Sequence, residues 1–86
     1  MAKKIDVNGI ETMLPDSKLD TLQTAVGGLI QPIHLPGGGY VFVNEEGLCL
    51  RLPINEKATA IVKCCYPRFD GLIVGNVVLC DENEIE

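Results

Sequence analysis

The sequence predicts an α+β domain, a small mixed β-sheet with two short helices in the order β-β-α-β-β-β-α-β. Three observations predict it. Two stretches carry apolar residues at helical spacing, each between a start signal and a stop signal. Short runs rich in Val, Ile, Leu and aromatic residues lie around them. Asn-Gly, Pro-Gly and Asp-Gly pairs punctuate those runs. No repeat or linker divides the 86 residues, so 1–86 reads as a single domain.

Lys3 to Leu14 reads as a β-hairpin. Asn8-Gly9 is the preferred pair for a two-residue type I′ turn, in which both residues take positive φ. That turn sets Val7 opposite Ile10 and Ile5 opposite Thr12. Ile5, Val7, Ile10 and Leu14 then share an apolar face, with Lys4, Asp6, Glu11 and Met13 on the other. Asp6 and Glu11 oppose each other in this register, either as solvated charges or as a paired-carboxylate site.

Pro15 ends the hairpin. Ser17 and Asp20 resemble a capping box that opens a helix over residues 17–26. Leu19, Leu22, Ala25 and Val26 form its apolar stripe, and Gly27-Gly28 stops it through a left-handed cap. Residues 29–35 are extended, with Pro32 favouring a sheet edge. Pro36 and three glycines connect to a strand over Tyr40 to Val43. Asn44-Glu45-Glu46-Gly47 turns the chain into a further strand, Leu48 to Leu52, with Arg51 pointing away from the leucines.

Asn55 is a good N-cap for the second helix, and Glu56 suits the positive helix start. Ala58, Ile61, Val62 and Cys65 fall on one face, and Tyr66-Pro67 ends the helix. Asp70-Gly71 turns into a last strand over residues 72–80, where Gly75 marks a bulge or close approach. The strands are expected to form a mixed sheet with both helices packed on one face.

Composition narrows function. The net charge is −5 and the seven Lys and Arg are scattered, which argues against nucleic acid as the partner. No apolar run is long enough to span a bilayer. MAKKIDVNG has charge but no apolar stretch, which predicts no secretory leader and a cytoplasmic setting. Hydrophobic residues make up 47% of so short a chain. That predicts a homodimer or larger, with an interface on the final strand or in residues 36–43.

Four cysteines, Cys49, Cys64, Cys65 and Cys80, contain no Cys-x-x-Cys pair. They read as small buried hydrophobes, with no metal site and no cofactor expected. His34 is the single histidine, and no Ser-His-acid set assembles around it, so no catalytic residues are assigned. Gly37-Gly38-Gly39 lacks the Lys-Ser/Thr ending of a P-loop; a hairpin loop or a phosphate cradle both remain open.

Asn44, Glu45 and Glu46 bring an amide and two carboxylates to one turn, with Arg51 and the Asn55 helix start nearby in sequence. Either they only shape a turn and a cap, or they bind the hydroxyls, amines and phosphate of a ligand. Tyr66, Arg68 and Phe69 share one loop and suit a partner surface, or ordinary packing.

The segments LQTAVGGLIQPI, YVFVNEEG, LPINEKAT and IVGNVVL, in this order and spacing, resemble a small domain family of unknown function common in bacteriophages, plasmids and other mobile elements. The resemblance covers residues 19–79. The paired cysteines and the 66–69 loop lie outside the pattern. The resemblance supplies no catalytic residues. It implies an accessory protein that counters host defence in the bacterial cytoplasm. The expected action is sequestration of a small nucleotide-type ligand by a homo-oligomer, through Asn44, Glu45, Glu46, Arg51 and Asn55. The alternative is an inhibitor or adaptor that binds a host protein without a small-molecule pocket.

Overall fold

Three-residue strands open the chain: β1 (Lys3–Ile5) and β2 (Glu11–Met13). They form the expected hairpin in a different register. Ile5 faces Glu11 and Lys4 faces Thr12, one residue away from the type I′ pairing. Asp6 explains the shift. Its Oδ1 accepts from the N–H groups of Asn8 at 2.9 Å and Ile10 at 3.0 Å. The Gly9 N–H donates to the Asp6 carbonyl at 2.9 Å. Gly9 takes φ +82°, and Asn8 is not among the positive-φ residues. The loop is therefore three residues, Val7 to Gly9, ending in a glycine bulge. A one-residue slip reverses every face. Ile10, expected on the face of Ile5, is turned to the other face and is 60% exposed, and the Asp6–Glu11 pair does not form.

The structure, a computed structural model, describes residues 2–47 and 49–81. After the hairpin come α1 (Leu19–Val26), β3 (Ile30–His34), β4 (Tyr40–Asn44), α2 (Glu56–Cys65) and β5 (Val77–Cys80). Helix α1 starts two residues later than expected. Its N-cap is Lys18, which makes no side-chain cap bond. Ser17 is buried instead. Asp16 serves the helix start, accepting the Lys18 N–H at 3.0 Å. The Thr21 side chain and that N–H hold the Asp16 carboxyl below its usual range. Leu19, outside the packed face, is exposed. Gly27 closes the helix at φ +83°, and Gly28 N–H donates to the Gln23 carbonyl at 3.0 Å, a Schellman closure.

The sheet order is β2-β1-β5-β4-β3. Every described pairing is antiparallel, so the sheet is not mixed. Pro32 lies on edge strand β3 as expected. The final strand is the central one, and β4 is also flanked on both sides, so neither has a free edge. The Pro-Gly-Gly-Gly segment is the β3–β4 hairpin loop, closed by Leu35 N–H to Gly39 O and Gly38 N–H to Leu35 O, both 3.0 Å.

The helices pack on opposite faces. Ala58 and Val62 of α2 join Ile5, Val41 and Val77 in one core. Leu22 and Val26 of α1 join Phe42, Val78 and Cys80 in another. Neighbours such as Val77 and Val78 point to opposite sides of a strand, and both are fully buried. Apolar side chains on both faces need cover on both faces, so the sheet is the middle of three layers.

Two expected strand segments are irregular. Residues 49–51 form a turn, with Leu50 N–H to Glu46 O at 2.9 Å and Leu52 N–H to Gly47 O at 3.1 Å. Leu48 lies outside the described residues, as do Met1 and the acidic tail 82–86. Arg51 sits at φ +56°, which breaks the alternation a strand needs. The last strand begins at Val77 because Gly75 turns the chain at φ +76°. Before it, Val74 makes an isolated bridge to Ile54.

Gly75→Ala is expected to cost about 2–4 kcal/mol in urea unfolding, from left-handed strain and overpacking. An added Cβ there lies 2.7 Å from Leu52 Cδ1. Gly37→Ala, with nothing within 4 Å of the new Cβ, should change stability by less than about 0.5 kcal/mol.

Glu11 bonds both Lys3, at 2.8 Å, and Lys57 of α2, tying the hairpin to the helix. Hydrogen bonds from Lys3 and Lys57 lower its pKa from 4.5 to about 2. A depressed folded pKa means stability that is present above pH 4.5 and lost as pH falls toward about 2. Glu11→Gln should flatten the acid limb of a stability–pH profile in that window and leave the limb above pH 6 unchanged in slope.

Candidate functional site

A groove of about 660 Å³ lies on the α2 side of the sheet, along β3 and β4. Its origin is a shortage of helix. Helix α2 covers Ile5, Val41 and Val77, and the outer part of this face is left to a segment returning from α2. Ile33 and Val43, on alternate positions of β3 and β4, form the floor. Phe69, Leu72 and Val74 of the returning segment form the wall. The Phe69 ring lies over Gly71, where a Cβ would come within 3.0 Å of Phe69 Cζ. Leu72 is 51% exposed, an apolar side chain held at the opening rather than in a core.

Ile73 anchors that wall. It is buried, its N–H donates to Thr59 Oγ1 at 2.9 Å, and its carbonyl accepts from Asn55 N–H at 2.8 Å. The polar rim consists of Gln31, Glu45, Cys49 and Asp70. Glu45, Cys49 and Asp70 are exposed. Among the described residues, no Lys, Arg or His lines the groove. Its chemistry is an apolar bed edged by two carboxylates and a thiol.

The residues expected to bind a ligand divide around this groove. Asn44 and Glu45 line it. Asn44 is buried and committed to the fold: its Nδ2 donates to Val26 O at 3.2 Å, and its Oδ1 accepts from Glu46 N–H at 2.9 Å. Glu46 is exposed on the turn and Arg51 on the following one, and neither lines the groove. Asn55 is fully buried. Its Oδ1 accepts from Ala58 N–H at 3.0 Å, and its Nδ2 donates to Ile5 O and Gly75 O, both at 2.9 Å. The helix start is thus occupied by its own cap and faces away from solvent.

Of the expected interface residues, Phe69 lines the groove. Tyr66 donates its hydroxyl to the His34 carbonyl, pinning the end of α2 to edge strand β3. Arg68 is exposed beside it. His34 meets Tyr40 edge-on, with ring centroids 4.9 Å apart, and Tyr40 stacks on Phe42 at 6.0 Å. Cys64 is exposed, Cys65 half-buried and Cys80 buried. Among the described residues, no three His, Cys, Asp or Glu side chains converge on a metal position. Nor is any helix there long and apolar enough to cross a membrane.

A family described as a domain of unknown function, DUF3846, matches residues 3–86. The chain belongs to the DUF3846 family. The match extends beyond residues 19–79 to take in the hairpin, so the whole three-layer unit is the family's domain. Neither the curated proteins nor the solved structures hold a match to this chain.

Sequence reasoning missed Ile33, Val43, Leu72 and Val74 as site residues. The signal was present. Ile33 and Val43 are apolar on a face that, among the described residues, has no second helix to cover them. Leu72-Ile73-Val74 reads as strand interior, and the exposure of Leu72 follows from a loop path that residue types do not encode.

Proposed function

We propose that this DUF3846 domain is a non-catalytic binding protein and that the groove along β3 and β4 seats an apolar side chain of a protein partner. Glu45 and Asp70 receive a basic group next to it. The observation that carries this reading is the groove itself, an open apolar bed edged by carboxylates, with Leu72 held at its opening. Apolar anchors with a charged rim are the usual anatomy of a protein interface. The net charge of −5 favours approach by a basic surface. Cys49 has no imidazole beside it in the groove to activate its thiol, which supports binding over catalysis.

The second reading is sequestration of a small nucleotide-type ligand. The groove volume falls in the range of small-molecule sites, and the Phe69 ring offers a surface for a base. Phosphate would find no cation among the described lining residues, so a nucleoside-like portion fits better than a charged one. With either reading we propose the setting that the mobile-element resemblance implies, an accessory protein that counters host defence in the host cytoplasm. We propose self-association as well, because Ile10, Met13 and Leu19 are each more than half exposed.

Selection from a random peptide library displayed against the full chain tests the first reading. Peptides pairing Arg or Lys with a large apolar residue should be enriched. They should slow alkylation of Cys49 and leave exposed Cys64 unaffected. Leu72→Asp should weaken them at least tenfold while moving stability by less than about 0.5 kcal/mol. Enrichment of acidic peptides, or binding indifferent to Leu72→Asp, would overturn this reading. A thermal shift with a neutral nucleoside, lost in Phe69→Ala, would favour the second.

A further inference from the structure

The sheet has two edges, and they are built differently. On β3 the bonds to β4 bracket the strand, Leu29 O with Glu45 N–H at 2.8 Å and Leu35 N–H with Gly39 O at 3.0 Å. By antiparallel alternation, Ile30, Pro32 and His34 turn their backbone groups outward. Pro32 has no N–H to offer there, and the His34 carbonyl is taken by the Tyr66 hydroxyl. This edge is blunted against further pairing.

On β2 the same reasoning gives the opposite result. Asp6 N–H donates to Ile10 O at 3.0 Å and Leu14 N–H to Ala2 O at 2.9 Å. The outward residues are therefore Glu11 and Met13. Both keep an N–H and a carbonyl for pairing, and all three β2 residues are exposed. Among the described residues, no helix crosses this edge. Ile10 is 60% and Met13 53% exposed beside it.

We infer that the β2 edge pairs antiparallel with β2 of a second copy, on a two-fold axis at Thr12. This rests on the self-association proposed above and says where it occurs. Three two-fold registers bring outward-facing residues together. An axis at Glu11 opposes two carboxylates, which is unfavourable across strands. An axis at Met13 sets Glu11 against Pro15, which has no N–H to give. The axis at Thr12 avoids both. It joins Glu11 to Met13 of the other copy in two ring pairs. It also sets Ile10, 60% exposed in the monomer, against Leu14 on the α1 side of the sheet. Two five-stranded sheets then continue as one. Each copy's groove lies by β3, at the far edge, and stays open.

Cysteine scanning tests the register. At the axis, the two Thr12 positions form a non-hydrogen-bonded pair with Cα atoms about 4.5 Å apart, within disulfide range. In a background with Cys49 and Cys64 replaced by Ser, T12C should self-link under mild oxidation to a dimer of twice the 9.3 kDa chain mass. I10C, far from its own mate across the axis, should stay unlinked. Met13→Pro removes an outward N–H and leaves the β1 bonds intact. It should shift sedimentation to the monomer at micromolar concentration with an unchanged far-ultraviolet spectrum. A wild-type chain that sediments as a monomer overturns self-association itself. A wild-type dimer in which T12C does not link, or links no faster than I10C, overturns the β2 edge and leaves self-association standing elsewhere.

Discussion

One buried amide holds this domain in register. Asn55 uses all the hydrogen-bonding groups of its side chain within the protein: Oδ1 for the Ala58 N–H, Nδ2 for the carbonyls of Ile5 and Gly75. Its own N–H reaches the Ile73 carbonyl at 2.8 Å. A single residue thus joins the start of α2, the end of β1 and the approach to β5. Serine, threonine or aspartate can cap a helix, but none of them can also donate twice. The site is fully buried, where each orphaned carbonyl would cost about 1–3 kcal/mol.

The groove depends on the same network. Thr59, one turn into α2, donates its hydroxyl to Asn55 O at 2.8 Å and accepts the Ile73 N–H. Ile73 is thereby fixed between α2 and the bridge at Val74, and Leu72 is left facing outward. Among the described residues, each sheet face has one helix. On the α2 side that helix falls short of β3, and the pinned return segment walls the remaining apolar strip instead of filling it. The opening follows from the topology, and polar bonds as well as packing hold its wall.

Much of the fold was legible in the sequence because local chemistry dictates it. Gly27 terminates α1, Asn55 caps α2, Pro32 lies at an edge and Gly75 kinks the chain. The failures share a cause. The hairpin slipped by one residue because the Asp6 carboxylate competes for the turn, an interaction that Asn8-Gly9 alone does not announce. Ser17 resembles a cap because hydroxyls often serve as one, but the N-cap is Lys18, whose N–H is held by Asp16, and Ser17 is buried. Both helices were expected on one face, although the unbroken apolar runs of β4 and β5 already call for cover on two. Of the residues grouped by composition and sequence distance, Asn44 and Glu45 line the groove, whereas Arg51 and Asn55 do not. Asn55 is buried as a cap, and Arg51 is exposed on a left-handed turn.

The most direct test of the Asn55 network is equilibrium urea unfolding of Asn55→Asp at neutral pH. The substitution keeps the shape and the cap acceptor and removes only the two donated bonds, leaving a buried carboxylate facing two carbonyls. The account predicts a loss of at least about 3 kcal/mol, enough to unfold much of a domain this small. Stability within about 0.5 kcal/mol of the parent, the ordinary range for a surface change, would contradict it.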